Sequence, residues 1–228
     1  MQRQIAQMRE RQVQQFVERV RDNIVPLSVA NSLPEAFSEW RFTERTIDHE
    51  QPAVTCELCE QEQLRYQFEI ANEMNQNTML VGSTCILRFK VAVYEDGRKL
   101  SEADARTKLS RLTERMRQDS CIERLQRVSD AEASEGAGKG DILPNALAYY
   151  RKNGRLTPKY AFVVLWRLKK HQIDHNPSFF KISLSNDKHR DDLRAMPVSR
   201  VHLIWPALTS QQRKIAERLG HAPPPQLP

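Results

Sequence analysis

Glycine and cysteine are both scarce: the 228 residues include 7 glycines and 4 cysteines. Few glycines means few loops able to wrap a phosphate. Accordingly no G-x-G-x-x-G, Walker or G-x-S-x-G pattern occurs, and with them go the common nucleotide-binding and nucleophile-elbow chemistries. No apolar run approaches the roughly 18 residues of a membrane-spanning helix, and the mean hydropathy is −0.64. The opening Met1-Gln2-Arg3-Gln4 continues polar, without the apolar core of a secretory signal. A cytoplasmic protein with no membrane partner is therefore expected.

The net charge is +6 and the pI about 9.2, an excess that favours polyanionic partners. The excess is unevenly placed. Residues 35–73 carry ten acids against three bases, Arg41, Arg45 and Arg65, whereas residues 142–173 carry seven bases and no acid.

Periodicity predicts an α+β chain. Residues 1–34 hold an N-terminal helix with Ile5, Met8, Val13, Phe16, Val17 and Val20 along one side, then a turn bracketed by Pro26 and Pro34. Within 35–95, residues 36–47 are strand-like. Leu64, Tyr66, Phe68 and Ile70 alternate with Arg65, Gln67 and Glu69 as a half-buried strand does. The Asn-rich stretch 72–77 is a turn, 78–81 a second strand, and 85–93 a helix capped by Ser83 or Thr84. A long helix fills 96–130, and the Ala/Gly/Glu-rich stretch 131–141 is a linker. Residues 142–221 form a mainly helical basic domain. In it, Asn153-Gly154 makes a turn, Thr157-Pro158 opens a helix, 178–185 is strand-like, and Thr209 or Ser210 opens a last helix. Residues 222–228 are a disordered tail.

Cys56 and Cys59 make a C-x2-C pair, a hairpin follows, and Cys85 falls where a helix starts. In a reducing compartment this pattern favours metal over disulfide. Zinc takes four thiolate or imidazole ligands in a tetrahedron. A knuckle supplies two and a helix start a third, where the helix dipole also favours a thiolate. This is a small treble-clef-like zinc β-hairpin module with flanking helices. Positions where a fourth cysteine would fall hold Gly82 and Arg88. The candidates for the fourth ligand are His49 first and Cys121 second, with a carboxylate or water also open. No H-E-x-x-H or H-x-E…P-C-x-x-C pattern accompanies the cysteines, so the zinc is expected to be structural. A redox pair and three merely buried thiols are the competing readings.

The run C-E-L-C-E-x-x-x-L-R-Y-x-F-E-I-x-N, followed by L-V-G-S-x-C-I-L-x-F, resembles a small zinc-finger-like module in poorly characterised bacterial proteins of phages, plasmids and integrative elements. It covers residues 56–89. The segment Tyr150–Tyr160 (YRKNGRLTPKY) is similar to short helical hairpins in such proteins, with Tyr160 where Gln is expected. The resemblance implies a mobile-element accessory protein, acting on DNA, and assigns no chemistry.

Basic groups neutralise phosphates and aromatic rings stack on unpaired bases. Arg151, Lys152, Arg155, Lys159 and Tyr150, around the turn of the basic hairpin, are accordingly the candidate nucleic-acid contacts; a solvated basic face over an ordinary core competes equally. His171 and His175 share a spacing of four, but Asp174, Asn176 and Pro177 end the helix between them. Asp187, Asp191 and Asp192 read as a solvated helix face. The expected function is a non-enzymatic, zinc-stabilised nucleic-acid-binding protein. The alternative is an adaptor or inhibitor bound to a protein partner through the acidic half of the zinc module and the Arg-rich helix. A nuclease ranks last.

Overall fold

A computed structural model describes residues 2–134 and 142–225. The chain is α+β and 57% helical, with a small three-stranded sheet and a helical C-terminal region. It divides into two compact units, Met1–Glu114 and Arg115–Pro228.

In the first unit, α1 (Gln2–Ile24) leads through a short turn to α2 (Leu33–Ser38), and the sheet follows as β1 (Trp40–Asp48), β2 (Tyr66–Asn72) and β3 (Thr78–Val81). The expected strand over 36–47 thus begins only at Trp40. Pro34 sits in the first turn of α2, where its fixed φ and missing N–H cost nothing, and turns the residues before Trp40 into helix. All three strands are antiparallel in the order β1-β2-β3. Register pairs Phe42 with Ile70 and Ile70 with Met79. Between Phe42 and Thr46 the register shifts at a bulge in which Glu44 takes a φ of 71°.

Phe68 and Ile70 are 1% and 0% exposed, and burying each contributes about 1.5–3 kcal/mol. Trp40, Phe42, Leu58, Val81 and Ile86 complete the core with Val20 and Ile24 of α1. Gln67 belongs to the polar side of β2, yet it is buried too. The loop before β2 covers it, and Gln67 donates its side-chain N–H to the Thr55 carbonyl.

After β3 comes α3 (Ser83–Arg88), shorter than the expected 85–93. The chain then turns at Lys90, whose φ is 53°. Buried Val91 and Val93 continue beside β1, where Ala92 exchanges backbone hydrogen bonds with Trp40 and Phe42. Two β-branched residues flanking that pairing favour extended backbone over helix. A two-residue hairpin, β4 (Tyr94–Glu95) and β5 (Arg98–Lys99), turns at Gly97 and precedes α4 (Glu102–Ser134).

The 33-residue α4 serves two cores in succession. Ala105 and Leu109 are buried in the first unit; Cys121, Leu125 and Val128 are buried in the second. The helix runs on through residues 131–134 of the expected linker, and 135–141 lie outside the described residues.

The second unit adds α5 (Ile142–Asn153), α6 (Pro158–Lys170), α7 (Asp187–Arg194), α8 (Val198–Ile204) and α9 (Ser210–Arg218). Their buried faces, including Leu147, Leu165, Leu168, Leu193 and Val201, form one apolar core. Gly154 takes a φ of 63° in the turn between α5 and α6, a conformation that favours glycine. Thr157 caps α6 by accepting the Tyr160 N–H, and Thr209 with Gln212 forms a capping box on α9. The expected strand over 178–185 is instead a 3-10 turn at Pro177–Phe179, started by the Asn176 side chain, followed by a single parallel bridge from Ile182 to Leu156. Of the expected tail 222–228, residues 226–228 lie outside the described residues.

Candidate metal centre

Cys56 and Cys59 bracket a tight turn on the loop between β1 and β2. This turn is anchored on both sides: Cys56 N–H donates to the Gln61 carbonyl, and Glu57 N–H to the Leu80 carbonyl of β3. Asn23, at the end of α1, donates to the Leu58 carbonyl from 35 residues away. Leu58 itself is fully buried between the two cysteines and pins the turn to the core. Cys85 lies in the first turn of α3, directly after β3. Gly82 occupies the N-cap position expected for Ser83 or Thr84, and among the described residues no side chain caps this helix. The Gly82 N–H instead donates to Cys56 Sγ at 3.4 Å.

Three sulfurs converge as a result. Cys85 Sγ lies 3.3 Å from Cys59 Sγ and 3.7 Å from Cys56 Sγ. All three sulfurs fall within 4.8 Å of one another. They are close enough to hold a metal ion. All three are free cysteines, and all three are buried, Cys59 the least at 8% exposed.

Their acidities diverge. Cys56 is pulled down to about 5, first by the thiol hydrogen bond from Cys85, against the opposing effect of burial, and then by the N–H groups of Gly82, Cys59 and Leu58. Burial pushes Cys59 up. Cys85 is pushed up because its proton is held by Cys56, with burial and the neighbouring negative charge acting in the same direction. One thiolate and two thiols therefore share the cluster, and a cation bound by all three sulfurs would have to displace the two remaining protons.

Of the candidate fourth ligands, the cluster gathers neither His49 nor Cys121. His49 Nε2 lies 2.9 Å from the Gln67 amide oxygen. Cys121 is a buried member of the second unit's apolar core.

The candidate nucleic-acid residues separate into three groups. Arg151, Lys152 and Arg155 are exposed around the α5–α6 turn. Lys159 is also exposed, but its ammonium lies 2.7 Å from the largely buried Asp192 carboxylate. Tyr150 is 1% exposed and packs beside Phe180. It continues the buried stripe Leu143, Ala146, Leu147, at helical spacing, so its ring serves the core. Two residues important to the cluster escaped the sequence reading: Gly82, whose backbone N–H holds a sulfur, and Asn23, which holds the knuckle. Gly82 sits in the motif, but a backbone donor has no side-chain signature, and nothing local marks Asn23.

No protein-family model, curated protein or solved structure matches this chain.

Proposed function

We propose that the chain is a non-enzymatic nucleic-acid-binding protein, an accessory protein of a bacterial mobile element, stabilised by a structural zinc ion in a treble-clef-like module. The zinc part of this reading rests on the chemistry and spacing of the three sulfurs. Tetrahedral zinc with Zn–S bonds of about 2.3 Å needs sulfurs about 3.8 Å apart; Cys56 and Cys85 lie close to that at 3.7 Å, and Cys59 and Cys85, at 3.3 Å, would have to spread by about half an ångström. Soft thiolates also select zinc over magnesium or calcium. The order knuckle, hairpin, helix start supports the treble-clef comparison. Cys56, Cys59 and Cys85 would hold the ion, whose role is to tie the knuckle to α3. X-ray absorption separates His49 as the fourth ligand, through imidazole scattering, from Cys121, through a fourth sulfur, and from a carboxylate or solvent.

The observation that carries the nucleic-acid reading is the placement of Arg151, Lys152 and Arg155. All three are exposed at one helix–helix turn, within a segment, 142–173, that contains no acid. Such a group gains by releasing condensed counterions from a phosphate backbone. Lys159 adds a weaker contribution because Asp192 partly neutralises it.

The decisive experiment titrates salt against binding to single-stranded DNA, duplex DNA and RNA, with zinc measured on the same sample. About one zinc per chain is expected. The slope of log affinity against log salt should fall in magnitude by roughly 2–3 when Arg151, Lys152 and Arg155 all become Ala. One zinc per chain with no binding to any of the three would remove the nucleic-acid reading while keeping the metal.

A further inference from the structure

The first unit leaves a seam of α1 uncovered. Positions 9, 12, 13, 16, 17, 20 and 24 fall along one helical face. Its C-terminal end is closed, with Val20 and Ile24 at 0% exposure. One to two turns earlier the same face is open: Val17 is 43% exposed and Val13 63%. Phe16 stacks on Phe89 with ring centroids 5.9 Å apart, and Phe89 stacks on Phe37 of α2 at 4.5 Å. The result is a groove of about 540 Å³ with Val13, Phe16, Val17 and Phe89 as its walls and Arg9, Gln12 and Arg88 on its edge.

The groove's charge is of one sign. Arg9 and Arg88 are its ionic side chains among the described residues, and no acid among these lines it. The Arg88 guanidinium sits 4.7 Å from the Phe16 ring centroid, held by the ring face at the lip of the apolar wall.

We propose that this groove docks an amphipathic helical segment of a partner protein, one carrying carboxylates beside its apolar anchors. A helix fits because the walls repeat at i and i+4 along α1, the spacing that a second helix interdigitates with. Carboxylates fit because a guanidinium at the edge of an apolar contact gains a charge-assisted bond there. A second copy of this chain would present its own Arg9 and Arg88, of the same sign, against that edge. Val13 and Val17, the exposed walls, carry no ring, and Phe16 and Phe89 already stack on one another and on Phe37, which leaves little ring face for a nucleic-acid base. This inference is independent of the zinc and nucleic-acid reading.

The test uses the purified full-length chain and fluorescein-labelled synthetic helical peptides of about 16 residues. All share one leucine stripe at i, i+3, i+4 and i+7; the residues flanking the stripe are Glu, Gln or Lys. Anisotropy should rank Glu above Gln above Lys. Val17→Asp should weaken the Glu peptide by about tenfold or more. Arg88→Glu should reverse the preference between the Glu and Lys peptides, a result that loss of packing alone does not produce. Circular dichroism confirms that each variant keeps its helix. Equal affinities for the three peptides, or an unchanged ranking in Arg88→Glu, would overturn the proposal. So would a concentration-dependent dimer that dissociates in Val17→Asp, which would assign the groove to a second copy. Displacement of the Glu peptide by single-stranded DNA whose own binding is lost in Val17→Asp would assign it to nucleic acid instead.

Discussion

Cys85 Sγ lies 3.3 Å from Cys59 Sγ although 26 residues separate them. A hairpin that returns the chain and a helix that starts immediately after it produce this approach. Each of the two elements is stabilised elsewhere, by Phe68 and Ile70 on β2 and by Ile86 on α3. The cluster is thus preorganised by apolar packing before any ion binds.

Removing a sulfur tests that statement. Cys85→Ser is expected to lower metal affinity by more than the 10- to 100-fold that loss of an outer-shell partner costs. Metal content measured by inductively coupled plasma mass spectrometry should drop from about one per chain toward none. The wild-type ratio surviving in Cys85→Ser would show that the three sulfurs do not share an ion.

Acidity gives a second test. In the metal-free protein Cys56 is the thiolate, with its pKa pulled down to about 5. A thiol pKa depressed on folding contributes stability above the unfolded value, and that contribution is lost as pH falls through about 5. Cys59 and Cys85 are pushed the other way and remain protonated at neutral pH. Thiolate absorbance near 240 nm should therefore persist to about pH 5 and vanish in Cys56→Ser. Metal affinity should rise with pH as the other two protons become easier to displace.

Glu39 provides a test unrelated to the metal. Its buried carboxylate accepts N–H groups from Val29, Ala30 and the Asn72 side chain. These hold it below the ordinary carboxylate range, the Val29 N–H first. Its contribution is fully present above the unfolded pKa of about 4.3 and is lost as pH falls through the lower folded value. Glu39→Gln should lower the melting temperature near neutral pH, and the gap from wild type should close on acidification. A gap independent of pH would show that the carboxylate charge is not what stabilises this corner.

In the second unit, Leu168 is 0% exposed whereas Trp166, two residues earlier on α6, is 47% exposed. Leu168→Ala should cost about 2–5 kcal/mol in denaturant unfolding. Trp166→Ala should cost about 0.5 kcal/mol or less, the usual range for surface substitutions. Similar costs at both positions would place the core of α6 on a different face.

Much of the secondary structure was legible because its signals are local. The β2–β3 hairpin followed from the alternation around Phe68 and Ile70 and from the Asn-rich stretch between the strands. Thr157 and Thr209 declared their helices through a cap that acts within three residues. Local signals mislead where a neighbour distant in sequence decides. Val91 and Val93 leave the helical path because β1 offers Ala92 backbone partners. Residues 178–185 form one bridge rather than a strand, since among the described residues Leu156 alone pairs with them as strands do.

The candidate centre divides along the same line. By itself the sequence determined that Cys56, Cys59 and Cys85 belong to one pattern, because C-x2-C in a turn and cysteine at a helix start are local geometries. It determined too that basic residues gather between 142 and 173, since composition needs no fold. Only the tertiary structure decided that the three sulfurs meet and that His49 turns to Gln67. The same holds for Tyr150, drawn into the core, and for Lys159, which meets Asp192. Each of these depends on which face of an element its distant neighbours cover, and residues far apart in sequence acquire that relationship only when the chain packs.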